Sequence, residues 1–334
     1  MPSQVGRKTR PDPGTTWGPA VIGFVARRVG QSIIVVVGVT IVTFLLLHLL
    51  PGSTVRAILG PRATPLAVHQ LTVELGLNKP LPVQYLVWLN NLVHANLGFS
   101  YKLDQPVTAL LGQRIDKTLF LVGSSLILSI LLAIPLGVLQ AVRRNRPDDY
   151  VMTGLSFIFY SMPTFWLSLL LIGLFSATLN WLPAEAPQEQ ATVFSQLNGM
   201  VLPIATLTLV TVALFSRYMR SSVLEQTVQD YVRTARAKGA SNRAVLFRHI
   251  LRNALIPVIT LVGLSLGGIL SGAVVVEEIF NYPGMGLLFY QAAQDDDFPV
   301  LLGVTVVVAM ATVIGNLIAD VLYAVIDPRI RYIS

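Results

Sequence analysis

The sequence predicts an all-α integral membrane protein with six transmembrane helices and both termini in the cytoplasm. Three observations carry that reading. Only 12% of the 334 residues are charged while 53% are hydrophobic, a balance foreign to soluble domains. Six long runs, 29–50, 118–142, 150–179, 197–216, 253–276 and 298–319, contain no Lys, Arg, Asp or Glu. Eighteen of the 24 Lys and Arg residues fall on one side of those runs, and the positive-inside bias places that side in the cytoplasm.

Taken in order, residues 1–20 are rich in Pro and Gly and read as a disordered cytoplasmic tail. The first transmembrane helix occupies 21–50. Its charge-free part would rise roughly 33 Å as a helix, enough for a hydrocarbon core of about 30 Å. It is too long for a signal-peptide core and Leu49-Leu50-Pro51-Gly52 is no small-residue cleavage site, so the span is expected to be retained. A membrane barrel would alternate polar and apolar residues, and none of the six runs does so.

Residues 51–117 form the one sizeable extracytoplasmic segment, with apolar residues at helical spacing in 66–75 and 85–97 that predict short helices on the outer face. The remaining five helices and their connections make a core over 118–326, and 327–334 is a cytoplasmic C-terminus. Pro135 and Pro163 lie inside the second and third spans, where bilayer helices tolerate kinks. The loop 180–196 carries Pro183 and Pro187 and is expected to be irregular. Span five holds Gly263, Gly267, Gly268 and Gly272 in two G-x-x-x-G pairs. Such a face suits tight packing within the chain, or a pathway-lining helix that meets a second membrane subunit.

The segment 217–253 interrupts this apolar chain with eight Lys and Arg residues. At about 2.5 to 3.5 kcal/mol per cation, re-entry to mid-bilayer would cost on the order of 20 to 28 kcal/mol, so the segment stays in the cytosol. Met219, Val223, Leu224, Val228, Tyr231 and Ala235 have helical spacing, with Arg236 and Lys238 at the cation-favouring C-terminal end. Gly239 suits a left-handed helix stop and Ser241 an N-cap for a second helix carrying Leu246, Phe247, Ile250, Leu251 and Ala254. The expected object is helix, bend, helix, and a projecting helical elbow with an apolar face suits a groove on another protein.

Arg233-Thr234-Ala235 followed by Gly239, with Leu255-Ile256-Pro257 further on, resembles the cytoplasmic coupling loop of ATP-binding-cassette importer permeases, whose signature is Glu-Ala-Ala, three residues, Gly, and a later Ile-x-Leu-Pro. RTARAKG with LRNALIPV is similar to the dipeptide and oligopeptide permease branch. So are RRVGQSIIVVVGVTIVTFLLLHLLPG, LGLNKPLPVQYLVWLNN, NLGFSY, SMPTFWLSLLLIGLFS, GAVVVEEIFNYPGMGLL and the closing DPRIRY. The chain departs at Ser53, Asn78 and Asn96, where Asp is common in that branch.

The resemblance implies the type I importer permease fold and the role of a B-type membrane subunit of an ATP-driven peptide importer in the bacterial plasma membrane. Its partners would be a homologous second permease, two cytoplasmic ATPase domains, an extracytoplasmic substrate-binding protein and membrane lipid, with no nucleic acid. ATP and Mg would sit on the ATPase partners, and this chain would bind no cofactor of its own. The docking elbow would comprise Ala235, Lys238, Gly239 and Ala240, flanked by Val245 and Arg248. Other solutes moved by the same architecture, such as nickel chelates or glutathione, are the alternative cargo; an ion-coupled carrier or a membrane enzyme is the reading from another class.

The remaining motifs argue against catalysis by this chain. No G-x-x-x-x-G-K-[ST] and no H-E-x-x-H occurs, and the absence of cysteine excludes disulfides and thiolate metal sites. His48 reads as an interfacial histidine, His69, His94 and His249 as surface residues, and Asp320 as an acid near a helix end that pairs with an Arg. Asp295, Asp296 and Asp297 read as solvated charge, or as an attractor for a peptide amino terminus or for basic residues of the binding protein, and Glu277-Glu278 likewise. Tyr282, Pro283 and Gly284 suggest a turn that closes the pathway as an outer gate.

Overall fold

The protein is described by a computed structural model covering residues 19–49, 55, 59, 62–74, 76–187 and 193–326. The C-terminus 327–334 and nearly all of the tail 1–20 lie outside the described residues, as do the side chains of His48 and Asp320 and the surroundings of Gly267, Gly268 and Gly272.

Helix α1 (Pro19–Leu49) begins ahead of the charge-free run and carries Arg27 and Arg28 inside it. Two short helices follow, α2 (Pro65–Glu74) and α3 (Leu81–Val93), and then a hairpin of two-residue strands, β1 (Phe99–Ser100) and β2 (Gln105–Pro106), antiparallel with Ser100 opposite Gln105. The short α4 (Val107–Gly112) leads into α5 (Ile115–Val142), which runs through Pro135 without interruption.

The third span is not one helix. It divides into α6 (Pro147–Ser161) and α7 (Thr164–Leu171), the latter continuing through the wide turns of Ile172–Thr178, and the two halves are bent by 109°. The cause is local. Met162 precedes Pro163 and is extended, at φ −80° and ψ 126°, because the proline ring disfavours helical backbone in the residue before it.

Helix α8 (Val193–Thr227) is 35 residues long and carries the fourth span well past Ser216. The helical spacing expected over 219–235 is therefore shared between two helices: it covers the end of α8 and then α9 (Asp230–Ala237), beyond a turn at Val228-Gln229. The apolar pattern crosses the break because both helices lay the same face on a common core. Next come α10 (Asn242–Ala244), a π-helical stretch (Val245–Ile250) and α11 (Leu251–Ile279), which form one continuous rod. The chain closes with α12 (Met285–Gln294) and α13 (Phe298–Ile326). Among the described residues five helices are long and apolar enough to cross a membrane, and the bent pair α6–α7 makes a sixth when taken as one span.

The bundle is organised around α5 against α8, the most extensive helix pairing in the fold. Gly137 allows it. A Cβ there would fall 2.5 Å from the Ser216 carbonyl oxygen and 2.6 Å from Met219 Cβ. Further along, the Ser129 hydroxyl donates to the Ser125 carbonyl at 2.6 Å, and Thr208 Oγ1 reaches the same carbonyl from α8 at 3.4 Å. Small and hydroxyl-bearing residues let helix backbones approach where lipid provides no hydrophobic drive. In span five, where the glycine spacing predicts the same device, Gly263 is buried.

Candidate functional site

The elbow expected at 217–253 is built on a hydrophobic core of its own. Val232 and Ala235 of α9, Val245 and Ile250 of the π-helical stretch, Met219 and Val223 of α8, Ala141 of α5, and Ala254 and Val258 of α11 make one buried cluster. The turn is closed by backbone bonds: the Gly239 amide donates to the Arg236 carbonyl at 2.9 Å and the Ala240 amide to the Ala235 carbonyl at 3.1 Å. Gly239 has φ +81°, the left-handed region in which a side chain is strained. Ser241 caps the next helix, its hydroxyl accepting from the Ala244 amide at 3.3 Å. The Ser222 hydroxyl ties α8 to α11 by donating to the Ala254 carbonyl at 2.9 Å.

The six elbow residues expected to dock divide between two faces. Ala235 and Val245 are buried in the elbow core, Ala240 is half-buried, and Lys238, Gly239 and Arg248 are exposed. The first two therefore stiffen the elbow, and the last three belong to its outer surface. Phe247 joins that outer surface: its spacing puts it on the apolar face of the second helix, yet it is 63% exposed. The signal available in the sequence was its neighbourhood, since Arg243 and Arg248 bracket it.

Beside the elbow, Arg220 of α8 makes a two-point ion pair with Asp149 at the start of α6. Nε donates to Oδ1 at 3.1 Å and Nη2 to Oδ2 at 2.8 Å. Asp149 is buried and also accepts from the Asn145 amide at 3.0 Å. The pair fastens the α5–α6 turn and α6 to the helix that carries the elbow. Sequence reasoning passed over it, because Asp148 and Asp149 sit in a charged turn and nothing local tells which of the two is covered.

The opposite end of the bundle is closed by a cap assembled on Glu277. Its side chain is fully buried in the last turn of α11 and accepts from Thr118 Oγ1 at 2.6 Å, the Gly286 amide at 2.6 Å and the Leu287 amide at 3.2 Å. The last two are unpaired donors at the N-terminus of α12, where a negative charge is favoured. Thr118 in turn accepts from the Met285 amide at 2.8 Å. Gly284 and Gly286 are required by this arrangement: a Cβ on Gly284 would lie against the Glu277 carboxylate, and one on Gly286 would lie 2.5 Å from Val274 Cα. Glu277 is thus not the solvated charge the sequence suggested. The glycines that follow it at short range were the available signal.

Tyr282, Pro283 and Gly284 are all buried in this cap. The Tyr282 hydroxyl donates to the Lys117 carbonyl at 3.0 Å and Arg114 Nη1 to the Pro283 carbonyl at 3.1 Å. Burial pushes the Tyr282 hydroxyl well above its ordinary pKa, with the negative charges of Glu277 and Asp116 adding to the effect, so it remains a neutral donor. Asp297 is also buried: it takes a hydrogen bond from the Ser100 hydroxyl and pins the β-hairpin to the start of α13. Of the aspartate run only Asp295 and Asp296 are exposed. Among the described residues no group of three His, Asp or Glu side chains is placed to hold a metal ion.

The helical rod 242–279 thus joins an elbow with a hydrophobic core of its own at one end to a buried, hydrogen-bonded cap at the other. Residues 133–332 match the family described as binding-protein-dependent transport system inner membrane component, and residues 21–122 match the N-terminal component of the same systems. The chain belongs to that family, and is thus a bacterial inner-membrane protein. It is 41% identical to the oligopeptide transport system permease protein AppB of Bacillus subtilis over 92% of this chain and 99% of that one. It is 35% identical to the dipeptide transport system permease protein DppB of Alkalihalophilus pseudofirmus, over 93% and 100% of the two chains. Its fold is similar to a chain of the inward-facing MetNI methionine ABC transporter, with a TM-score of 0.54 at 19% identity over 65% of this chain and 96% of that one.

Proposed function

We propose that the chain is the B-type membrane subunit of an ATP-driven importer of dipeptides and oligopeptides. It pairs with a homologous second permease, rests on two ATPase domains and receives cargo from a substrate-binding protein on the far side of the membrane. ATP and Mg bind to the ATPase partners, and this chain transmits their movement. The names of its relatives support the cargo. The elbow supports the mechanism, since a lever must not bend under its own stroke, and this one is held by a buried core, a left-handed glycine stop and a side-chain cap.

In this reading both termini and the elbow are cytoplasmic, and Lys238, Gly239, Arg248 and Phe247 meet the ATPase while Ala235, Ala240 and Val245 hold the surface in shape. The cap around Tyr282, Pro283 and Gly284 is the outer gate, with Asp295 and Asp296 facing the binding protein. The glycine face of span five, Gly263, Gly267, Gly268 and Gly272, approaches another helix. The deciding experiment purifies the complex with its natural neighbours and measures uptake of labelled dipeptides, oligopeptides, nickel chelates and glutathione. Peptide uptake with substrate-stimulated ATP hydrolysis is expected. Uptake of the chelate or glutathione alone would reassign the cargo, and failure to hold any ATPase subunit would end the proposal. Unchanged uptake after replacing 282–285 with a neutral loop would remove the gate.

A further inference from the structure

The outer end of the bundle holds two hydrophobic clusters. One belongs to the spans, with Leu121 of α5, Val276 and Phe280 at the end of α11, and Tyr282. The other gathers Val107 and Leu111 of α4, Met285 and Leu288 of α12, and Val300 and Val304 of α13. Val107 and Val300 are fully buried in it. A Cβ on Gly303 would fall 2.6 Å from Val107 Cγ1, so α4 lies directly on α13. The β-hairpin belongs to the same body: the Val107 amide donates to the Gly98 carbonyl at 3.1 Å, and the Ser100 hydroxyl is bonded to Asp297.

The chain passes between the clusters at two short links. One is Gln113-Arg114, between α4 and α5. The other is Pro283-Gly284, since Tyr282 belongs to the first cluster and Met285 to the second. Gly284 has no side chain to restrict its backbone. The two links adjoin, for Arg114 Nη1 donates to the Pro283 carbonyl at 3.1 Å.

Between the links and the spans, α12 is held by polar bonds. The Met285 amide donates to Thr118 at 2.8 Å, and the Gly286 and Leu287 amides donate to Glu277 at 2.6 Å and 3.2 Å. Parting this seam hands the amides, the hydroxyl and the carboxylate to water, which replaces each bond. Parting the outer cluster would expose apolar side chains to which water returns nothing. Separation at the outer end therefore costs less along the seam than through the cluster.

We propose that the hairpin, α4, α12 and the start of α13 form one lid, which swings about the adjoining links at Arg114 and Pro283 and opens along the Glu277 seam. The moving part of the gate is thus larger than the turn 282–284, and the hairpin travels with it. The inference rests on the cap being the outer gate, as read above.

The chain contains no cysteine, so paired substitutions give defined cross-links. Val107→Cys with Gly303→Cys joins α4 to α13 inside the lid. Thr118→Cys with Met285→Cys joins the lid to α5 across the seam. Uptake of labelled oligopeptide by the reconstituted full complex is measured with each pair oxidised and again after reductant, beside the unsubstituted complex treated alike. Oxidising the seam pair is expected to lower uptake at least tenfold, with recovery on reduction, while the lid pair changes it less than twofold. A tenfold loss from the lid pair as well would overturn the single lid and leave the gate standing. Undiminished uptake with the seam cross-linked would overturn the gate, and the lid with it. Hydrogen exchange of the unsubstituted complex, resting and trapped with ATP and vanadate, tests the same point without substitution. The Gly286 and Leu287 amides should exchange at least tenfold faster in the trapped state while the Val107 amide keeps its protection. Matching acceleration at Val107 would overturn the lid, and no acceleration at Gly286 and Leu287 would overturn gate and lid together.

Discussion

The carboxylate of Glu277 lies 2.6 Å from the backbone amide of Gly286, so the last turn of one membrane helix supplies the cap for the first turn of the short helix that follows it. Thr118 joins the same carboxylate from α5, and three helices meet on one buried side chain. Removing Glu277 would strand two helix-terminal amides and a hydroxyl. Glu277→Ala is expected to cost on the order of 3 kcal/mol, because buried donors left without their acceptor keep the full desolvation penalty. Glu277→Gln, which retains an acceptor oxygen, should cost less than half of that. Thermal unfolding of the purified complex, followed by fluorescence, ranks the two.

The backbone approach around that carboxylate leads to a second ordering. Gly286→Ala would drive a methyl group into the backbone of Val274 at 2.5 Å, whereas Gly303→Ala would meet the movable Val107 Cγ1 at 2.6 Å. The first should lower the unfolding temperature by several degrees more than the second, since backbone yields less readily than a side chain. Equal shifts would show that α12 can slide over α11.

Arg220 and Asp149 are expected to couple. Asp149→Ala and Arg220→Ala should each destabilise the protein, and the double variant should recover about 1 kcal/mol relative to their sum, as partners in one buried pair do. A double-mutant cycle on denaturation of the complex measures it. Uptake should fall in the single variants while ATP hydrolysis persists, because α6 is no longer fastened to the helix that carries the elbow.

Gly239→Val forces a β-branched residue to φ +81°, with no neighbouring atom within 4 Å to clash. The expected cost, about 1 to 3 kcal/mol, is therefore conformational, and it should weaken co-purification with the ATPase by distorting the elbow. Ser241→Ala loses a helix cap, for about 1 kcal/mol, and should do so mildly.

Phe247→Ala separates surface from scaffold. The side chain is largely exposed, so thermal stability of the isolated chain should be unchanged within experimental scatter. ATPase co-purification or substrate-stimulated hydrolysis should nonetheless fall severalfold. A variant with normal coupling would remove Phe247 from the docking surface.

Much of the architecture was legible before any coordinates, for a simple reason. A bilayer makes length and charge decisive: a run of apolar residues long enough to cross has one stable disposition, and a run of cations has only water to go to. That logic located the spans and the cationic elbow, and Gly239 and Ser241 announced the bend through backbone and capping requirements that act over three or four residues. Where the reading needed a local break, the Met162-Pro163 step was visible as a proline, but its 109° consequence was not.

The tertiary structure decided which like residues do unlike things. Glu277 is sealed beneath α12 while Glu278 beside it is half-buried, Asp297 is buried while Asp295 and Asp296 are exposed, and Asp149 holds Arg220 from inside while Asp148 pairs with Arg143 at the surface. Gly137 and Gly286 each admit a neighbouring backbone, at Ser216 and at Val274. Sequence alone fixed the apolar segments, because solvation of a segment depends on its own composition. It left the pairings open, because whether a charge is covered depends on a chain segment up to 197 residues away, as Ser100 and Asp297 are, and that distance is closed only by packing.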